Sequence, residues 1–162
     1  MSIRPLRIVG ADRTRYNAVM QRSAAGSLRV LSCVMGGFLV LMALGKTGWM
    51  SDSGPLIDEL WGWRESVPAL SGWYLDAVAI PGAPLFARVV PIGELMTGTA
   101  LLVGFRVRLA ATVAVLMVLN FHFAMGILFQ MSYLTNGYGP PVVGSLVALA
   151  LGPARLPYSL HR

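Results

Sequence analysis

Four ionisable residues stand inside or at the edge of long apolar stretches: Lys46, Arg88, Glu94 and His122. Hydrocarbon tolerates such groups only where they pair or face a protein interior or a water pocket, so chemistry is sought there first. A carboxylate at Glu94 must be neutral or paired, and its proton affinity responds to whatever approaches it. That suits proton transfer. His122 suits a metal, a quinone carbonyl or a neighbour's backbone. Lys46 and Arg88 lie near span ends, where long cationic side chains commonly snorkel. Asn120 suits a hydrogen bond between helices. Glu94 and His122 together are only half of the usual structural metal shell, so no metal site is expected. His161, in the C-terminal tail, cannot join His122 as a second haem ligand. Cys33 is the single cysteine, which excludes dithiol exchange within the chain.

The elements that must position these residues are membrane helices. Of 162 residues, 56% are hydrophobic and only 12% charged, and the mean hydropathy is +0.65. So few charges cannot build the polar skin of a soluble domain. Four apolar runs follow: about Leu28 to Trp49, Ala83 to Phe105, Leu109 to Met131, and a shorter one from Pro141 to Pro153. All but the last reach the roughly 20 residues that a bilayer crossing needs. The expected fold is all-α, an integral membrane four-helix bundle, with short interfacial helices between spans one and two. Residues 1–27 form a basic arm, 28–154 the bundle and 155–162 a tail. The N-terminus does not read as a cleaved signal peptide.

Arginine placement orients the bundle. Arg4, Arg7, Arg13, Arg15, Arg22 and Arg29 precede or open span one, Arg106 and Arg108 join spans two and three, and Arg155 and Arg162 follow span four. The connection between spans one and two instead carries Asp52, Asp58, Glu59, Glu65 and Asp76 against Lys46 and Arg64. Both termini are therefore expected in the cytoplasm of a bacterial-type inner membrane, in a multi-pass protein. The +6 net charge belongs to this pattern and does not imply nucleic acid. Within 11–25 the arginines suit a helix on the anionic membrane surface. The segment 51–82 alternates Trp, Tyr and aliphatic residues at roughly helical spacing, punctuated by Pro55, Pro68 and Pro81. It reads as one or two short helices on the outer face.

Depth follows from the helical rise. Glu94 falls near mid-span, and His122 about 20 Å above Arg108. With Lys46 at the outer end of span one, the ionisable groups converge in the outer half, from three helices. Arg88 and Glu94 are six positions apart and point to different sides of one helix, so Glu94 is better matched by Lys46 or His122. His122, Met125 and Phe129 share one face, and Asn120 points elsewhere. Gly93 and Gly98 are packing positions. Tyr133 and Tyr138 are interface anchors.

Gly45-Lys46 at the end of span one is followed, after the outer segment, by Gly93-Glu94-x-x-x-Gly98-x-x-Leu101-Leu102-x-Gly104-x-x-x-Arg108-Leu109-Ala110-Ala111. This resembles the DoxX family, including the DoxD-type subunits of thiosulfate:quinone oxidoreductase, over roughly residues 28–152. The resemblance implies a four-helix membrane protein linked to oxidation of quinones or sulfur compounds, with Lys46, Glu94 and Arg108 as its matching polar residues. Arg88 and Asn120 match no part of the motif.

The function expected first is an accessory subunit of a larger membrane complex, one engaged in electron transfer. The alternative is a quinone-interacting subunit of a thiosulfate:quinone-type oxidoreductase. There Glu94 and His122 form a proton and quinone pocket, and Lys46, Arg88 and Asn120 contact the quinone. Quinone is the one cofactor considered, since no redox centre is visible in the chain. A small transporter ranks third. The expected partners are the lipid bilayer and other membrane subunits.

Overall fold

A computed structural model describes residues 8–160, with the side chains of 8–15, 18, 21 and 22 left aside. Arg4, Arg7, His161 and Arg162 lie outside the described residues, as do the side chains of Arg13, Arg15 and Arg22. All regular structure among the described residues is helical. Six α-helices follow one another: α1 (Ile8–Gly45), α2 (Gly54–Arg64), α3 (Ala69–Tyr74), α4 (Ala83–Val103), α5 (Val107–Ala124) and α6 (Pro140–Leu151).

Three helical stretches are long and apolar enough to cross a bilayer: Ser23–Gly45 within α1, Ala83–Val103 and Val107–Ala124. Their outward side chains are apolar too, among them Val30, Val34, Leu41, Leu85, Met96, Leu109 and Leu116. Water would make such continuous faces costly, whereas lipid matches them. α1 has 38 residues and runs through the expected boundary at Leu28 without a break. No proline interrupts it, and Gly26 alone does not end a helix.

α6 has 12 residues, which rise only about 18 Å. α5 stops at Ala124, short of the expected Met131. Gly126 there adopts the left-handed conformation with φ 68°, which turns the chain into two 3₁₀ segments, Ile127–Phe129 and Met131–Thr135.

α1 and α4 cross at two glycines. A Cβ on Gly36 would lie 2.7 Å from the Gly98 carbonyl oxygen, and one on Gly98 would lie 2.9 Å from that of Gly36. The backbones therefore touch, the close approach that small residues permit in membranes. Around this crossing, Met35 and Leu39 of α1 pack with Leu101, Ala111, Ala114, Leu146 and Leu149.

The C-terminal turn of α4 has all its carbonyls occupied. Phe105 N–H donates to Ala100 and Gly104 N–H to Leu101, a Schellman turn closed by Gly104 at φ 74°. Arg29 donates to the Leu101 and Leu102 carbonyls at 2.9 and 2.6 Å, and Ser32 donates to Leu101 at 2.7 Å. Leu160 N–H donates to Val103. Helix ends leave such carbonyls without intrahelical partners. Two side chains of α1 and the returning tail supply them.

Between α1 and α4 the chain makes a 3₁₀ turn at Thr47–Met50, then α2, α3 and a π-helical turn at Leu75–Ala79. Leu56, Leu60 and Leu75 of this segment pack with Trp49, Ala83, Ala87 and Ala124 in a second core. Arg64 Nε donates to Asp76 at 2.8 Å and holds α2 to the turn after α3.

Candidate functional site

Glu94 faces inward from the middle of α4 and is 6% exposed. Lys46 is the first residue after α1, and Trp49 is anchored in the core just beyond it. The crossing at Gly36 and Gly98 brings these helices close enough for the two side chains to meet. Lys46 Nζ lies 2.8 Å from both Glu94 oxygens and 3.4 Å from the Met42 carbonyl. The rings of Trp49 and Phe121 each have their centres 5.8 Å from the same nitrogen. Both partners are largely withdrawn from solvent, with side chains 13% and 8% exposed. An ion pair so enclosed persists because each charge satisfies the other.

The pair borders a cavity of about 260 Å³. Phe38, Leu39 and Met42 line it from α1, and Val118, Phe121 and His122 from α5, with Met125 just beyond. Glu59 and Trp63 line it from α2, and Ile127, Asn136, Tyr138 and Val142 complete the wall. His122 is 5% exposed, and its Nδ1 lies 3.1 Å from the Tyr133 hydroxyl.

Lys46, Glu94 and His122 are thus brought to one cavity, and Arg88 and Asn120 are not. Arg88 is exposed and donates to the Pro84 carbonyl on its own helix. Asn120 accepts a 2.7 Å hydrogen bond from the Tyr74 hydroxyl, which fastens α3 to α5. Ser71 adds a 2.6 Å bond to the Phe123 carbonyl. Phe129 leaves the face it was expected to share with His122 because α5 ends first, and its ring packs on Phe123 at 5.9 Å. Arg108 is remote from the cavity and donates to the Ala150 carbonyl at 3.2 Å.

Two participants escaped the sequence reading. Glu59 figured there only as one of several acidic residues in the outer segment, and Tyr133 only as an anchor. Neither shares a helix with Glu94 or His122, so periodicity could not associate them. Partial burial raises the Glu59 carboxyl above its ordinary range, and the nearby Lys46 charge opposes that rise.

Among the described residues no three His, Cys, Asp or Glu side chains cluster as a metal site would require. The arrangement instead offers a carboxylate, an ammonium group and an imidazole beside an apolar space. These can exchange hydrogen bonds with a polar head while the walls exclude water. No protein-family model, curated protein or solved structure matches the chain.

Proposed function

We infer that this chain is a DoxX-like integral membrane protein that binds a small ring-headed, largely apolar ligand of the quinone or quinol kind. The observation that carries the reading is the cavity of about 260 Å³ bordered by the Lys46–Glu94 pair and His122. Small-molecule sites are typically apolar spaces with a few convergent polar groups. Lys46 and His122 can donate to a ring carbonyl, and Glu94 can accept from a ring hydroxyl. Because Lys46 already bonds Glu94, an arriving head exchanges partners within a network and brings no unpaired charge. Glu94 and His122 are then the proton and head-group residues, and Lys46 holds Glu94 in place. Arg88 and Asn120 have structural roles in this reading.

In the same reading α6 and the 3₁₀ segments before it make the fourth crossing. Segment 51–82 lies on the outer face, both termini are cytoplasmic, and the membrane is a bacterial-type inner membrane. A second reading makes the chain an accessory subunit of a larger electron-transfer complex. Trp61, Leu70 and Trp73, each more than half exposed on the outer segment, favour it, since exposed aromatic residues commonly anchor partners.

Extraction in mild detergent, followed by mass spectrometry and an absorption spectrum of the intact particle, tests both readings. A small particle that carries quinone, and loses it when Glu94→Gln and Lys46→Met are combined, supports the first. Failure to retain or bind any quinone defeats it. A larger, cofactor-bearing particle supports the second, and a monodisperse protein with no partner defeats that one.

A further inference from the structure

The cavity exists because α6 is short. Its 12 residues begin at Pro140 and descend to the level of Arg108, where Ala150 accepts that side chain. Along this length α6 covers α1 and α5 closely, with Leu146 and Leu149 buried against them. Beyond the first turn of α6, the connection from Gly126 to Gly139, with its two 3₁₀ segments, lines the space between Phe38 and Met42 of α1 and Val118 and Met125 on the α5 side through Ile127, Asn136 and Tyr138. It closes the gap with one ring contact, Phe38 on Tyr138, at 6.3 Å between centres. Met42 is 38% and Tyr138 63% exposed, so this edge of the cavity meets the surroundings of the bundle. It lies on the flank of the apolar stretch Ser23–Gly45, where a bilayer would be.

We propose that the gap between α1 and the start of α6 is a side entrance from the bilayer. The ligand carries a single apolar chain that lies between Phe38, Met42, Tyr138 and Val142, with its head at Lys46 and Glu94. This rests on the reading of the cavity as a head-group site. The walls of the gap are mostly aliphatic and aromatic; Asn136 beside Tyr138 already accepts that residue's N–H at 2.8 Å, and the charged groups lie at the inner end. A molecule with a polar ring and one long chain matches that gradient, whereas one with polar groups at both ends does not. Water-borne entry past α2 would meet Glu59 and Trp63, which line the cavity on that side. Lateral entry also spares the ligand any crossing of water. The occupant is thus a quinone-like molecule, and a membrane phospholipid chain in the gap is the outcome that the test must separate from it.

The full-length protein in nanodiscs is irradiated with a benzoquinone that carries a diazirine midway along an alkyl chain, and labelled peptides are located by mass spectrometry. Head binding is read separately as quenching of Trp49 and Trp63 emission, with Trp61→Phe and Trp73→Phe removing the remaining tryptophans. The expected result is quenching together with labelling of α1 near Phe38 and Met42 and of α6 near Val142, competed by unlabelled quinone. Val142→Phe should lower that labelling several-fold while the protein keeps its thermal stability. If Val142→Phe fails to fold, Met42→Phe on the opposite wall gives the same reading. Quenching with label confined to α2 and residues 131–135 overturns the entrance and leaves the head-group site standing. Label that unlabelled quinone does not compete, but added phospholipid does, assigns the gap to a lipid chain and also overturns the proposal. No quenching and no competed label sinks the head-group reading and the entrance with it.

Discussion

The ammonium of Lys46 lies 2.8 Å from each oxygen of Glu94, although the two residues are 48 positions apart. A two-pronged contact between groups so far apart in sequence makes the pair the joint between the end of α1 and the middle of α4. Its burial decides how substitutions there should behave. Losing one member strands a charge, whereas neutralising both leaves no buried charge to compensate.

Lys46→Met alone should therefore cost about 3–5 kcal/mol in detergent, by analogy with other buried pairs broken on one side. The double substitution Lys46→Met with Glu94→Gln should be markedly more stable than Lys46→Met. Equilibrium unfolding of the unsubstituted protein, Lys46→Met, Glu94→Gln and the double variant checks this. Additive losses would show that the pair is not coupled.

The glycine crossing allows a comparison of neighbours. Gly36→Ala places a methyl group 2.7 Å from the Gly98 carbonyl oxygen, and neither backbone can yield without separating the helices. A loss of about 1–3 kcal/mol is expected. Gly37→Ala meets nothing within 4 Å, so it should be neutral or should stabilise α1 by up to about 1 kcal/mol. Thermal melts of the two variants should shift in opposite directions or differ widely.

Arg29→Ala removes the cation that closes the Leu101 and Leu102 carbonyls. Hydrogen bonds from charged donors typically contribute about 1.5–3 kcal/mol, so a loss in that range is expected. Arg29→Lys should recover only part, because one ammonium reproduces the planar two-carbonyl contact poorly. Hydrogen exchange at the amides of 104 and 105 should quicken in the alanine variant. Unchanged exchange and stability would show the contact to be idle.

Glu59 gives a pH dependence whose sign is set by burial. Its folded carboxyl binds a proton more tightly than the unfolded one, so its contribution favours the fold at acid pH. That contribution is lost as pH rises from the ordinary carboxylate range through the raised folded value. Glu59→Gln should therefore raise the melting temperature slightly at pH 7 and leave it unchanged below about pH 4, the unperturbed range. Asp76, held down by its hydrogen bond from Arg64, has the opposite sign. Its contribution is present above the ordinary Asp range and fades as pH falls through the lowered folded value. Asp76→Asn should thus destabilise slightly at neutral pH, with the difference vanishing in acid. Melting curves of both variants across pH 3 to about 8, bracketing the carboxylate range, should move apart.

The amino-acid sequence by itself determined the three long apolar helices, because uninterrupted apolar runs and a 3.6-residue repeat are local properties. It also marked Glu94 and His122 as groups in need of partners, since an ionisable residue in an apolar run is costly wherever it lands. α4 ends within two residues of its expected limit because Gly104 and the turn to Arg106 are local signals. Only the tertiary structure decided which partners were found. Glu94 takes Lys46 because Gly36 and Gly98 draw α1 against α4, a pairing that no spacing within either helix records. α5 ends early because Gly126 is packed against Val67 and Pro68 of the segment between α1 and α4, a contact between distant parts of the chain. That early end turns Tyr133 onto His122, and the short α6 after it leaves open the space that Glu59 and Trp63 line. Periodicity assigns a residue to a face of its own helix. What that face meets depends on how helices cross, and packing between remote segments sets the crossings.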